Sequence, residues 1–109
     1  MPESVGQFEQ IILTAILSLR DRAYGVTIHE RALELAAPKS VSLGAVYVTL
    51  DRLEAKGYLT SWLADPTPQR GGRAKRYYAL KPRAVQALRD GKQALQALWR
   101  GLDGVLGRA

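Results

Sequence analysis

The chain has no cysteine and a single histidine, His29, among its 109 residues. Without cysteine there is neither a disulfide framework nor a thiolate metal site, and one histidine without ligand partners at a fixed spacing does not form a zinc site. The sequence also lacks a phosphate-binding P-loop, a G-x-G-x-x-G turn and paired carboxylates in a pocket-forming pattern. The composition therefore predicts a protein that is not an enzyme and holds no metal or other cofactor.

Long apolar runs are missing as well. The longest stretches without a charged residue, 10–19 and 40–50, are far shorter than the ~20 residues that a membrane helix needs. Glu3 and Glu9 precede the end of the first apolar run and no basic segment stands ahead of it, so no signal peptide is predicted. Together with the lack of cysteine, these features predict a cytoplasmic protein that does not enter a membrane.

Acidic residues are absent from one basic segment. The formal net charge is +6, and residues 69–83 contain six basic residues and no acidic one. The positive charge is therefore concentrated in this segment, which would attract a polyanion such as DNA. Taken alone, the segment is equally consistent with a solvated loop that only aids solubility.

Residues 42–57 predict an amphipathic helix. Ser42 stands at the N-cap position and Gly57 at the helix stop. The opposite face is small near its start and basic further on, which suits a helix whose N-terminal half enters a DNA major groove. Apolar side chains recur at steps of three and four residues and so share one face. They are Leu43, Val46, Tyr47, Leu50 and Leu53.

A basic β-hairpin is predicted directly after this helix. Residues 58–65 and 73–80 are rich in strand-forming residues, and prolines and glycines bracket the loop between them. Alternation places Arg76 on one face of the second strand with Tyr78, and Lys75 on the other face with Tyr77. A helix followed by a basic hairpin is the arrangement of a winged helix-turn-helix.

Two scaffold helices are predicted before this motif, over residues 4–21 and from Gly25 to about residue 37. Apolar residues form a full stripe on the first helix. Ser4 with Gln7, and Thr27 with Glu30, have the spacing of a capping box. His29 is predicted to be an ordinary surface or edge residue.

The last predicted helix, residues 83–106, has a nearly heptad apolar pattern. Its stripe is too long to be buried on so small a domain, so a second copy of the chain is the expected partner. The alternative is a helix that folds back onto its own core. The residues predicted at the dimer interface are Leu88, Leu95, Leu98, Trp99 and Leu102.

These elements predict a mainly α (α+β) fold in two parts. Residues 1–80 form a winged helix-turn-helix with a two-stranded β wing, and residues 81–109 form a long C-terminal dimerisation helix. The expected partners are double-stranded DNA and a second copy of the chain. At or near the exposed face of the third helix, the candidate DNA-binding residues are Ser42, Gly44, Ala45, Thr49 and Arg52. On the wing, they are Arg70, Arg73, Lys75 and Arg76.

The same residues resemble a known family. The runs Ser42-Leu43-Gly44-Ala45-Val46-Tyr47 and Gly57-Tyr58-Leu59, with the arginine-rich wing that ends in Tyr77-Tyr78-Ala79-Leu80, are similar to the PadR family of bacterial transcriptional regulators. The resemblance implies a homodimer, clasped by the C-terminal helix, that usually represses neighbouring genes. Many members have proline after the helix tyrosine, where this chain has Val48, and threonine after the wing leucine, where it has Lys81-Pro82.

The resemblance also implies roles for two aromatic residues. Tyr47 lies at the margin of the buried face, and its hydroxyl is expected to reach a DNA phosphate; a purely packed tyrosine is the alternative. Trp99 resembles a position at which some relatives stack a small, flat hydrophobic effector. The alternative is that Trp99 only anchors the packing of the dimer.

Two other functions fit a winged helix in general. Such a domain can serve as a protein–protein or RNA-interaction module without operator binding. That role does not require a small outer face on the third helix or six basic residues within 69–83, and this chain has both. Other DNA-binding families of the same fold, such as MarR- or ArsR-like repressors, normally have more helices or clusters of metal ligands.

Overall fold

The computed structural model describes residues 5–64 and 74–108. Within these ranges, four helices and two strands make a mainly helical fold, which confirms the predicted fold class. The helices are α1 (Gln7–Leu19), α2 (Gly25–Ala36), α3 (Leu43–Ala55) and α4 (Pro82–Leu106), and the strands are β1 (Leu59–Ala64) and β2 (Lys75–Leu80). A short 3-10 turn, Arg20–Arg22, joins α1 to α2.

Helix α1 lies at the centre of the core, because its apolar stripe packs against the helices and the sheet around it. Side chains of α1, α2, α3 and both strands meet there and are almost completely excluded from solvent. Among the larger of these side chains are Ile12, Leu13, Ile16, Ile28, Val46, Leu50, Leu53, Leu59 and Tyr78.

Helix α1 begins later than predicted. The cap is Gly6, whose N–H donates to the Glu9 carboxylate at 3.1 Å; Ser4, the predicted cap, lies outside the described residues. The same carboxylate accepts from the Lys56 ammonium just after α3, at 3.1 Å. Burial alone would raise the pKa of Glu9, but the Gly6 hydrogen bond and the charge of Lys56 outweigh it and hold that pKa below its usual value.

Thr27 does not cap α2 in the way predicted. Instead of standing before the helix, Thr27 is its third residue, and its hydroxyl oxygen accepts from the Tyr24 N–H at 3.0 Å. Helix α2 ends at Ala36, one residue before the predicted limit. His29 Nε2 then donates to the carbonyl of Val41 at 2.6 Å, which holds the connection between α2 and α3 against α2.

The two strands form an antiparallel ladder that pairs Leu59 with Leu80 at one end and Ala64 with Lys75 at the other. A single bridge between Tyr24 and Tyr77 attaches the ladder to the segment before α2. The Tyr78 N–H donates to the Ala23 carbonyl at 2.9 Å. The wing therefore starts from a fixed base beside α2.

Helix α4 leaves the domain after its first turns. Ala84 is fully buried, and Ala87 and Leu88 pack against the core of the same chain. Leu88, which was predicted at the dimer interface, is therefore partly buried by its own chain. Because α4 has 25 residues and the domain is small, its second half projects beyond the core. None of the helices in the described ranges is long and apolar enough to cross a bilayer.

Candidate nucleic-acid interface

Helix α3 is held by its two ends, and both ends are formed as the sequence predicts. The Ser42 hydroxyl oxygen accepts from the Ala45 N–H at 3.1 Å. At the other end Gly57 has φ +83°, a conformation that favours glycine, and the Tyr58 N–H donates to the Leu53 carbonyl at 3.0 Å. The first turn of α3 is therefore both capped and exposed to solvent.

Four of the six α3 candidates are exposed residues with small, polar or basic side chains. Ser42, Gly44, Ala45 and Arg52 are exposed. A Cβ built at Gly44 would meet no atom within 4 Å, so this position faces open solvent. The chain can therefore bring the backbone of its N-terminal α3 turn close to another surface.

Thr49 is a correction. It was predicted at or near the exposed face of α3, but only 4% of it is exposed. The reason is helical geometry: position 49 is three residues after Val46 and four before Leu53, and both of these are fully buried. Thr49 therefore belongs to the packed face of α3, and its side chain is not available to contact DNA.

Tyr47 lies between the two faces, as predicted. It is 44% exposed, and its ring covers Gly25 at the start of α2. A Cβ at Gly25 would lie 2.6 Å from Tyr47 Cζ and 2.8 Å from Cε1, and nearer still to the hydroxyl oxygen. Gly25 thus leaves the space in which the Tyr47 ring lies, with the phenol hydroxyl beside the N-terminus of α2.

The described wing cations lie on opposite faces of β2, as alternation predicts. Arg76 Nη1 donates to the Ser61 hydroxyl at 3.0 Å, and the Ser61 hydroxyl donates to the Glu54 carboxylate at 2.7 Å. This chain of bonds links the wing to α3. On the other face, Lys75 Nζ lies 3.9 Å from the centre of the Tyr24 ring, in a cation–π contact. The candidates Arg70 and Arg73 lie outside the described residues.

Aromatic rings support the Lys75 face of the wing. The rings of Trp62 and Tyr77 are stacked with centroids 6.3 Å apart, and Tyr77 meets Tyr24 edge-on at 5.4 Å. On the Arg76 face, burial raises the pKa of the Tyr78 hydroxyl, and the nearby Asp51 carboxylate raises it further. Tyr78 is therefore a neutral core residue.

Sequence reasoning missed three residues that position α3. His29 binds the Val41 carbonyl just before α3, and Gly25 leaves space for the Tyr47 ring of α3. Arg83, in the first turn of α4, donates to the Lys56 carbonyl at 3.0 Å and lies over the Tyr58 ring. The predicted start of the second helix marked Gly25 only as a helix boundary, and no local pattern marks a contact across 27 residues such as that of Arg83.

A capped, outward-facing helix beside a cationic wing is the geometry of a winged helix-turn-helix, and the sequence comparison agrees with it. Residues 12–90 match the transcriptional regulator PadR-like family, a match that spans α3 and both strands. The chain belongs to this family. PadR-like proteins are transcriptional regulators and not enzymes, as the lack of catalytic motifs predicted.

Solved structures share the fold of this PadR-like regulator. A PadR family transcription regulator from Clostridium difficile is 23% identical, with a TM-score of 0.75 over 93% of this chain and 99% of that chain. A PadR-like transcriptional regulator from Bacillus cereus is 21% identical, with a TM-score of 0.70 over 90% and 89%. The ORC1 protein of Aeropyrum pernix, solved in complex with DNA, is 21% identical, with a TM-score of 0.64 over 85% of this chain and 26% of its own. No curated protein sequence matches the chain.

In this PadR-like regulator, α4 presents an exposed apolar stripe. Leu95, Leu98, Trp99 and Leu102 are 51%, 66%, 55% and 40% exposed, respectively. Their spacing of three, four and seven residues places them on one side of the helix. An aromatic effector at Trp99 would lie on this open helix surface unless a second chain covered it.

Proposed function

We propose that the protein is a sequence-specific double-stranded DNA-binding regulator that acts as a homodimer and represses transcription. One observation carries the proposal: the first turns of α3 are capped, exposed and small, while Arg76 links the adjacent wing to α3. This arrangement presents a rigid helix end that fits the width of a major groove, with cations beside it for the phosphates.

The homodimer is proposed from the exposed stripe on α4. Four large apolar side chains lie on one side of this helix, and each remains 40–66% exposed within the described part of the chain. They are Leu95, Leu98, Trp99 and Leu102. Taking a large apolar side chain from full exposure to full burial contributes roughly 1.5–3 kcal/mol. Because these four are already partly covered, pairing of two α4 helices gains a part of this from each of them. Residues 81–109 would then be the dimerisation element, and residues 1–80 the DNA-binding domain.

A groove beside the root of α4 also supports the dimer. It lies between the start of α1 and the end of α2, has a volume of about 330 Å³, and is lined in part by Phe8, Ile11 and Leu35. Gly91 of α4 lies against Gln10 of α1, so the groove is close to the point where α4 leaves the domain. The α4 helix of a second copy would bury both surfaces together.

The proposal extends to repression and its release. A dimer that occupies a site near a promoter excludes other proteins from that DNA, and a small hydrophobic effector that stacks on Trp99 would change the separation of the two α3 helices. Trp99 therefore has two proposed roles, packing of the dimer and binding of the effector. A transcriptional regulator acts where the DNA is, which is the reason for proposing a cytoplasmic location.

Selection of duplex fragments from a random DNA pool by the purified protein tests the proposal. The expected result is a two-fold symmetric site with half-sites about 10 bp, or one helical turn, apart, bound by two chains. Analytical ultracentrifugation measures the chain number in parallel. A monomer that ignores duplex DNA even at low salt would overturn the proposal, and binding to RNA or to a protein alone would favour the interaction-module alternative.

A further inference from the structure

The outward face of α3 carries one exposed apolar side chain at its centre. Positions 44, 48, 51 and 55 are four, three and four residues apart, so they form one stripe along the helix, and all four residues are exposed. Val48 is the apolar residue of this stripe that has a branched side chain. It is 57% exposed, more than Tyr47 at 44% and Leu43 at 38%.

Folding does not account for valine at position 48. Within the described residues, Val48 belongs neither to the core nor to the partly buried side chains that pack against it. Valine is also a weaker helix former than alanine, because its branched side chain loses rotamer freedom in a helix. The side chain is therefore carried on α3 at a small cost to folding and projects into solvent.

The surroundings of Val48 define the kind of surface that it fits. Gly44 lies one turn earlier on the stripe with open space where a Cβ would be, and Ala45 beside it adds a single methyl group. The stripe therefore presents no hydrogen-bonding side chain until Asp51. A surface that approaches this stripe closely between Gly44 and Val48 would meet backbone and aliphatic carbon.

The DNA major groove contains one apolar group at the base edges, the 5-methyl group of thymine. We propose that Val48 is a specificity-determining residue that packs against a thymine methyl group in each half-site of the operator. The proposal rests on the proposed function, since it requires α3 to enter the major groove. It adds the chemistry of the base that is read at the centre of the outward face.

Replacing thymine by deoxyuridine tests this contact, because the change removes the methyl group and keeps every base-pairing hydrogen bond. In the selected duplex, each thymine of a half-site is replaced singly, and the affinity of the protein is measured by fluorescence anisotropy. Removing one buried methyl group should weaken binding about fourfold at one thymine position, and about 15-fold when the symmetric thymine is also replaced.

Two variants connect the effect to Val48. Val48→Ala should bind the thymine and deoxyuridine duplexes with affinities within twofold of each other, and its melting temperature should stay within a few degrees because the site is exposed. Val26→Ala is the matched control: Val26 is 48% exposed on α2, outside α3, and its replacement should leave the full thymine preference.

Each outcome decides between the two proposals. One outcome is that the wild-type protein binds a symmetric site and yet loses no more affinity than Val48→Ala at every deoxyuridine replacement. In that case the Val48 proposal is wrong and the proposed function stands. The Val48 proposal is also wrong if Val26→Ala loses the preference equally. If the wild-type protein binds no duplex DNA, both proposals fail.

Discussion

The contact between Gly25 and Tyr47 offers a sharp test of how α2 positions a proposed DNA contact on α3. Gly25→Ala adds one methyl group at the start of α2, where a Cβ would lie 2.6 Å from Tyr47 Cζ. Carbon atoms pack at about 3.5–4.0 Å, so the ring has to retreat by about 1 Å or rotate away. Because Tyr47 is 44% exposed, it has room to move toward solvent.

The expected effect on stability is small. Alanine is a better helix former than glycine by up to about 1 kcal/mol, and the weakened packing of a half-exposed ring is of similar size. The free energy of unfolding of Gly25→Ala should therefore lie within about 1 kcal/mol of wild type. Urea unfolding followed by circular dichroism measures this difference.

The expected effect on DNA affinity is larger. If the Tyr47 hydroxyl donates to a phosphate, its displacement removes a hydrogen bond to a charged group, which is worth about 1.5–3 kcal/mol. Binding to the selected duplex should then weaken about tenfold or more for each half-site. Tyr47→Phe, which removes only the hydroxyl group, should weaken binding to a similar extent.

A double-mutant cycle gives the decisive measurement. Because both changes remove the same hydrogen bond, Gly25→Ala combined with Tyr47→Phe should bind no more weakly than either single variant. Gly104→Ala is the control, since a Cβ at Gly104 meets no atom within 4 Å, and it should leave DNA binding unchanged. Full additivity, or wild-type affinity in Gly25→Ala, would refute the reasoning.

Three further predictions concern other parts of the molecule. The pKa of Glu9 is lower in the folded chain than in the unfolded chain, so ionised Glu9 stabilises the fold above about pH 4.5, and this contribution disappears as the pH falls through the folded pKa. Glu9→Gln should therefore flatten the pH dependence of the free energy of unfolding in that range, measured with urea. An unchanged pH dependence would contradict the assignment. Leu98→Glu should convert the proposed dimer to a monomer in sedimentation without unfolding α4, whereas a persistent dimer would place the interface elsewhere. Lys75→Ala with Arg76→Ala should weaken binding on all sequences and reduce the slope of log affinity against log salt by ~0.9 for each phosphate that the variant no longer neutralises; an equal slope would show that neither side chain binds a phosphate.

The helices and strands were predictable because their signals are local. The steps of three and four residues in α3 correctly buried Val46, Leu50 and Leu53, and the alternation in β2 correctly separated Lys75 from Arg76. Such periodicities follow from the geometry of each element alone. Ser42 and Gly57 were identified for the same reason, since a cap or a stop depends on its immediate neighbours.

The errors in predicted burial arose where the type of a residue suggested one face of the helix and its position placed it on another. Thr49 was placed outside because it is polar, although its place between Val46 and Leu53 puts it on the packed face. Leu43 was placed inside because it is apolar, but it lies in the first turn of α3 and is 38% exposed. In both cases the position along the helix, and not the residue type, determined burial.

The sequence by itself determined the elements, their order, the concentration of positive charge and the membership of a regulator family. Tertiary structure alone determined what holds α3 in place: Glu9 with Lys56, Gly25 with Tyr47, and the link from Arg76 to Glu54. These pairs are far apart along the chain, and local rules describe only neighbours within about one turn or one pleat. The packing of α1, α2 and the wing against one another brings them together.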